Sequence, residues 1–141
     1  MRKNYVNKHG KGKRVCDTDV MIDYWDVSSK RHTQTKIILE DKIGLDNIVI
    51  SAITKMELLM GASNKSDESK IKKKLNRFNI ALINNEITVE AMLVFETYRL
   101  SHGLAIPDCF IGSTAKIMNL ELFTYNLKDY KFMSKLKLFN L

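Results

Sequence analysis

The sequence predicts an α/β domain: a mostly parallel sheet of four to five strands, covered by helices on both faces. Two observations lead there. Short apolar runs alternate along the chain with segments whose apolar residues recur at helical spacing, the order expected of βαβ units. The chain also has 141 residues, 45% hydrophobic and 28% charged, which suits one globular domain with a real core.

The elements follow in order. Arg14–Cys16 reads as a short first strand, and residues 18–26 as a helix with Val20, Met21, Ile22 and Trp25 inward. Residues 31–45 read as helical, with Ile37, Ile38 and Ile43 as their apolar positions. Ile48–Ser51 is a buried strand by its β-branched run, and residues 53–61 form a helix that Gly61 terminates. Residues 64–70 read as an exposed turn, residues 71–78 as a helix with a basic outer face, and residues 80–83 as a third strand. Thr88 is the expected cap of the next helix, which carries Ala91, Met92, Val94, Phe95 and Tyr98 at helical spacing and ends near Gly103. Pro107, the single proline, suits the first turn of a helix reaching about Met118. Residues 122–125 are a fourth strand, and residues 136–139 a fifth, short one.

The net charge of +7 is unevenly spread. Residues 1–14 hold six basic residues and no acid; setting those six aside leaves 17 basic against 16 acidic side chains. The basic bias is therefore mostly a tail, residues 1–13, expected to be flexible and followed by a folded body over 14–141. The tail has no apolar core and does not read as a signal peptide, and no stretch offers the run of about 20 apolar residues that spans a bilayer. Two cysteines, Cys16 and Cys109, make neither a disulfide framework nor a zinc spacing. They read as small buried residues in a protein of the reducing cytoplasm, although each adjoins an acid of interest.

In open parallel sheets, ligands bind beyond the carboxyl ends of the strands. Asp17 follows the first strand directly, Glu57 lies two turns into the helix after the second, and Asp108 is in the first turn of the helix before the fourth. Each has a purely local explanation. Asp17 makes an Asx turn, Asp19 caps a helix, Glu57 lies on a solvated helix edge, and Asp108 complements a helix dipole. Taken together, they place hard oxygen ligands at one rim, which is what Mg²⁺ or Mn²⁺ requires. The chemistry that follows is metal-assisted hydrolysis of a phosphodiester. His9, His32 and His102 complete no Ser-His-Asp arrangement, and there is no Walker-type glycine loop.

The blocks Cys16-Asp17-Thr18-Asp19, Ser51-Ala52-Ile53-Thr54 through Glu57 and Gly61, Ile106-Pro107-Asp108-Cys109-Phe110-Ile111-Gly112, and Thr124-Tyr125-Asn126-Leu127-Lys128-Asp129 resemble, in order and spacing, the signatures of the PIN-domain family. The likeness is specifically to VapC-like toxins of type II toxin–antitoxin modules. That resemblance implies a three-layer α/β/α sandwich and Mg²⁺- or Mn²⁺-dependent endoribonuclease activity. It implies Asp17, Glu57 and Asp108 as metal ligands, an RNA substrate, a VapB-like antitoxin partner and a homodimer. Two departures stand out. Asp19 replaces the usual asparagine, and Asn126 stands where an acid is common. Asn126 ranks first as the local site residue, Asp129 is the alternative fourth carboxylate, and Thr124 is either a site hydroxyl or a plain strand-end threonine. Lys72, Lys73, Lys74 and Arg77 are candidates for RNA-backbone contact, set against a merely solvated helix face.

Two rival readings carry different chemistry. Asp17-Thr18-Asp19 also fits the Asp-x-Asp nucleophile of haloacid-dehalogenase-like phosphatases, but Asp108 lacks the neighbouring acid which that family expects. A catalytically weak RNA- or protein-binding module is the second, favoured only by Asn126.

Overall fold

The computed structural model describes residues 12–140. Of the basic tail expected to be flexible, residues 1–11 lie outside this span. Four strands form one sheet: β1 (Arg14–Cys16), β2 (Ile48–Ser51), β3 (Asn79–Ala81) and β4 (Glu121–Phe123). Their order is β3-β2-β1-β4, and every pairing is parallel. The chain therefore builds outward from β1 through β2 to β3, then returns to add β4 on the other side. The crevice between β1 and β4 is the switch point at which such sheets bind ligands.

Alternation along each strand sorts the core into two layers. Val15, Val49, Ala81 and Leu122 join one apolar cluster; Cys16, Ile48, Ile50 and Phe123 join the other. Helices α5 (Asn85–His102) and α6 (Ile106–Met118) supply Ala91, Val94, Cys109, Ile111 and Ala115 to the first. Helices α1 (Thr18–Trp25), α2 (His32–Ile37), α3 (Ala52–Met60) and α4 (Lys65–Leu75) lie toward the second, with Val20, Met21, Leu58 and Leu75 in it. This is the expected three-layer α/β/α sandwich. Strands buried on both faces explain why these short runs are apolar at successive positions.

Several elements depart from expectation, each for a local reason. Residues 64–70 are not a turn: Asn64 caps α4 by accepting from Asp67 N at 2.8 Å, and Asp67 accepts from Ser63 N at 3.1 Å, a reciprocal cap. Acids in its first turn and lysines in its last suit the helix dipole, so a nearly all-polar segment is helical. Asn84, not Thr88, caps α5, accepting from Ile87 N at 2.8 Å, while the Thr88 hydroxyl donates back to Asn84 O. After α2 the chain widens into a π-helical turn, Ile38–Ile43, which buries Ile38, Leu39 and Ile43. Ile22, expected inward, is half exposed. The fifth strand reduces to one parallel bridge, Leu122 to Leu138.

One close approach shapes the site. At Gly112 a Cβ would meet Met133 Sδ at 2.7 Å and Tyr130 Cδ1 at 3.4 Å. The absence of a side chain there lets the segment after β4 lie flat on α6, which carries Tyr130 to Asp108.

Candidate active site

Asp17 is where β1 ends and α1 begins. Its N–H still donates to Phe123 O at 2.9 Å, extending the β1–β4 ladder by one residue. Its extended ψ of 162° then aims the side chain back, so that Oδ1 accepts from Thr18 N at 2.8 Å as the helix cap. Oδ2 accepts from Thr124 Oγ1 at 2.8 Å, across the switch point. The Thr124 hydroxyl in turn accepts from Asn126 N at 2.9 Å, which fixes its rotamer. Asp17 is 5% exposed, and burial, with the charge of Asp19 added, pushes its pKa up to about 6.

Asp108 comes from the opposite side, in the first turn of α6. Its Oδ1 accepts from the Tyr130 hydroxyl at 3.1 Å. Burial again raises its pKa to about 6, and the charges of Asp17, Asp129 and Glu57 push in the same direction while the Tyr130 bond opposes them. Three carboxylates from three other parts of the chain thus act on Asp108. Tyr130 is fully buried, and burial beside Asp17 and Asp108 holds its phenol far above the ordinary tyrosine range, so it remains a donor.

Glu57 is turned toward α1 by a hydroxyl. Ser51 caps α3 by accepting from Ile53 N at 3.0 Å, and the helix it starts presents Glu57 to Thr18. Thr18 Oγ1 donates to Glu57 Oε1 at 2.6 Å and stands 3.0 Å from the Thr54 hydroxyl. Asp19 accepts from Tyr125 N at 3.2 Å through Oδ2, while its buried Oδ1 has no hydrogen-bond partner among the described residues. Asn126 Nδ2 donates to Asp129 Oδ2, so these two form a pair at the rim. Asp129 reaches Asp108 through its field.

The fold therefore brings Asp17, Asp19, Glu57, Asp108, Thr124, Asn126 and Asp129 to one edge. It leaves the basic candidates apart. Lys72 pairs with Glu68 at 3.9 Å, Lys74 lies 5.2 Å from the Trp25 ring centroid, Arg77 pairs with Asp46 at 2.9 Å, and Lys73 is exposed. None of these contacts joins the acids. Thr18 and Tyr130 were not singled out from sequence. A threonine inside the Asp17 block was open to notice, but nothing local distinguishes Tyr130 from the other tyrosines. Cys16 and Cys109 are both buried free thiols; burial raises both, Cys109 to about 11, so neither offers a thiolate.

The donor set fits a hard divalent cation. Burial, with like charge added, raises Asp17 and Asp108 to about 6, and a buried Asp19 oxygen lacks a donor among the described residues; these are electrostatic costs that such a cation offsets. As they stand, the side chains face their protein donors: among the described residues no three His, Cys, Asp or Glu are grouped closely enough to hold a metal ion, so the carboxylates must turn to close on one.

The sequence pattern of the PIN domain matches residues 14–132. Over 121 residues the chain is 31% identical to Ribonuclease VapC1 of Methanocaldococcus jannaschii, an alignment spanning 84% of this chain and 79% of that protein. Among solved structures, a toxin–antitoxin complex from Klebsiella pneumoniae superposes with a TM-score of 0.69 at 27% identity, over 88% of this chain and 95% of that one. A DNA-bound VapBC from Salmonella typhimurium gives 0.71 at 18% identity, over 91% and 97%, a likeness of fold.

Proposed function

The chain belongs to the PIN domain family, among its VapC-like ribonucleases, and from that premise we propose that it is a metal-dependent endoribonuclease acting as the toxin of a toxin–antitoxin pair. The observation that carries the reading is the convergence of Asp17, Glu57 and Asp108 at the β1–β4 switch point, with each carboxylate gripped by a hydroxyl. We assign these three as ligands of Mg²⁺ or Mn²⁺. When bound, such an ion lowers the pKa of a coordinated water and offsets charge that develops on the phosphodiester.

The protein's own part is positioning. Thr124 holds Asp17 in one rotamer, Thr18 turns Glu57 toward the site, and Tyr130 fixes Asp108. Separate donors limit the rotamers open to each of the three carboxylates before a cation arrives. Asn126 and Asp129 restrain each other at the rim, where Asp129 adds negative charge and Asn126 adds none. Asp19 supports from behind, bonded to the backbone of Tyr125.

The partners belong to the same proposal: RNA as substrate, a VapB-like antitoxin and a second copy of the chain, in the cytoplasm. The exposed apolar residues Val89, Met92, Leu93 and Leu100 of α5, with Ile106 of α6, support an apolar protein partner on that side. Among the described residues no helix is long and apolar enough to cross a membrane.

The deciding experiment is cleavage of a mixed structured RNA pool with Mg²⁺ or Mn²⁺, with EDTA, and with Asp108→Asn. Discrete cuts that need metal and disappear in the variant are expected. A folded, metal-supplied wild type that cuts nothing would remove the nuclease reading and leave a binding module.

A further inference from the structure

The acid cluster has to receive an anionic phosphodiester, yet the basic residues expected to bind RNA make no contact with it. Among the described residues, Arg31 is a cation held beside the site. The turn joining α1 to α2 is tied down by Asp23, which is only 8% exposed: Oδ1 accepts from Ser29 Oγ at 2.7 Å and Oδ2 from Arg31 Nε at 2.7 Å. His32 Nδ1 lies 3.1 Å from Asp23 O, and Arg31 N donates to Ser29 Oγ at 3.2 Å. Arg31 is thus held at its backbone and at Nε.

Its guanidinium lies over the Tyr125 ring, with Cζ 4.2 Å from the centroid. That ring is itself fixed. The Tyr125 hydroxyl shares a 2.6 Å bond with the buried Thr35 hydroxyl, and Tyr125 N donates to Asp19. Tyr125 also directly follows Thr124, the residue that grips Asp17. Neither Arg31 Nη has an acceptor among the described residues, and the side chain is 48% exposed.

We infer that Arg31, pinned by Asp23 and stacked on Tyr125, binds an RNA phosphate flanking the scissile bond through its two free Nη groups. The inference rests on the ribonuclease reading. An ordinary surface arginine loses rotamer freedom on binding; this one has already lost it, and its planar fork matches two phosphate oxygens. The like charge of the cluster makes a fixed cation at its edge more useful than a mobile one, because it draws the phosphate to one register.

The test is fluorescence anisotropy of a labelled random-sequence single-stranded oligoribonucleotide in EDTA, across a potassium chloride series. Wild type is compared with Arg31→Gln, Arg31→Lys and Lys30→Gln; metal-dependent cleavage and thermal unfolding are followed in parallel. Arg31→Gln retains a donor for Asp23 and is expected to fold. It should weaken binding about tenfold and lower the log–log salt slope by about 0.7, the loss of one phosphate contact on a single strand. Arg31→Lys should fall between the two, and Lys30→Gln should leave the slope unchanged. Wild-type binding and cleavage with an unaltered Arg31→Gln slope would overturn the Arg31 assignment alone. An equal slope loss in Lys30→Gln would overturn it in favour of diffuse surface charge. A wild type that neither binds nor cuts RNA would overturn the ribonuclease reading, and this inference with it.

Discussion

Removing the charge of Asp108 is expected to stabilise the metal-free protein while disabling it. The carboxylate is buried among like charges, and its pKa stands near 6 in place of 3.8. At full value that displacement corresponds to about 3 kcal/mol of cost to the ionised form. Asp108 is half-buried, so solvent screening reduces it to about 1.5 kcal/mol. The sign follows from proton binding. Between about pH 4 and pH 6 the folded state holds a proton that the unfolded state has released, so metal-free stability falls as pH rises through that window. Asp108→Asn keeps an oxygen to accept the Tyr130 bond and removes the charge. In EDTA near pH 7.5 its Tm should exceed that of wild type by about 5 °C, and near pH 3, below both pKa values, the two should nearly coincide. Differential scanning fluorimetry at both pH values measures this, and added Mg²⁺ should then raise the wild-type Tm more than the variant's. A variant less stable than wild type in EDTA at the higher pH, or equally shifted at both, would refute the argument that like charge is stored at this site.

Three further outcomes follow from the same geometry. Mg²⁺ affinity, measured by calorimetry, should strengthen as pH rises through about 6, because protons compete for Asp17 and Asp108 below that value. Tyr130→Phe removes the donor that orients Asp108 and should lower cleavage about tenfold, with a stability loss of about 1 kcal/mol by denaturant titration. Thr124→Val removes the hydroxyl that donates to Asp17 Oδ2 and accepts from Asn126 N; it should cost about 2 kcal/mol and weaken Mg²⁺ binding, whereas Thr124→Ser should recover most of both.

The order of elements was legible because strand and helix patterns are local. The run Ile48-Val49-Ile50, the terminating Gly61 and Gly103, and Pro107 in the first turn of α6 all stand where the pattern put them. Local reading failed where polarity misled it. The polar first half of α4, up to residue 70, reads as a turn until its Asn64–Asp67 cap is seen, and Thr88 resembles a cap although Asn84 precedes it by a full turn. The acids at element ends were also legible, since Asp17 follows a strand, Asp108 opens a helix, and the carboxyl edge of a parallel sheet is where such residues meet.

By itself, then, the sequence determined the α/β class, the succession of strands and helices, and which acids lie at strand and helix ends. Only the tertiary structure decided what holds those acids and what lies beside them. Thr124 reaches Asp17 across 107 residues of chain, Thr18 reaches Glu57 across 39, and Tyr130 reaches Asp108 through the space that Gly112 leaves open. Arg31 and Tyr125, 94 positions apart, meet only because β4 returns beside β1. A helix or strand pattern is written in neighbours a few residues apart and can be read from them. A hydrogen bond between two side chains depends on the placement of whole elements, and that placement exists only once both faces of the sheet are buried.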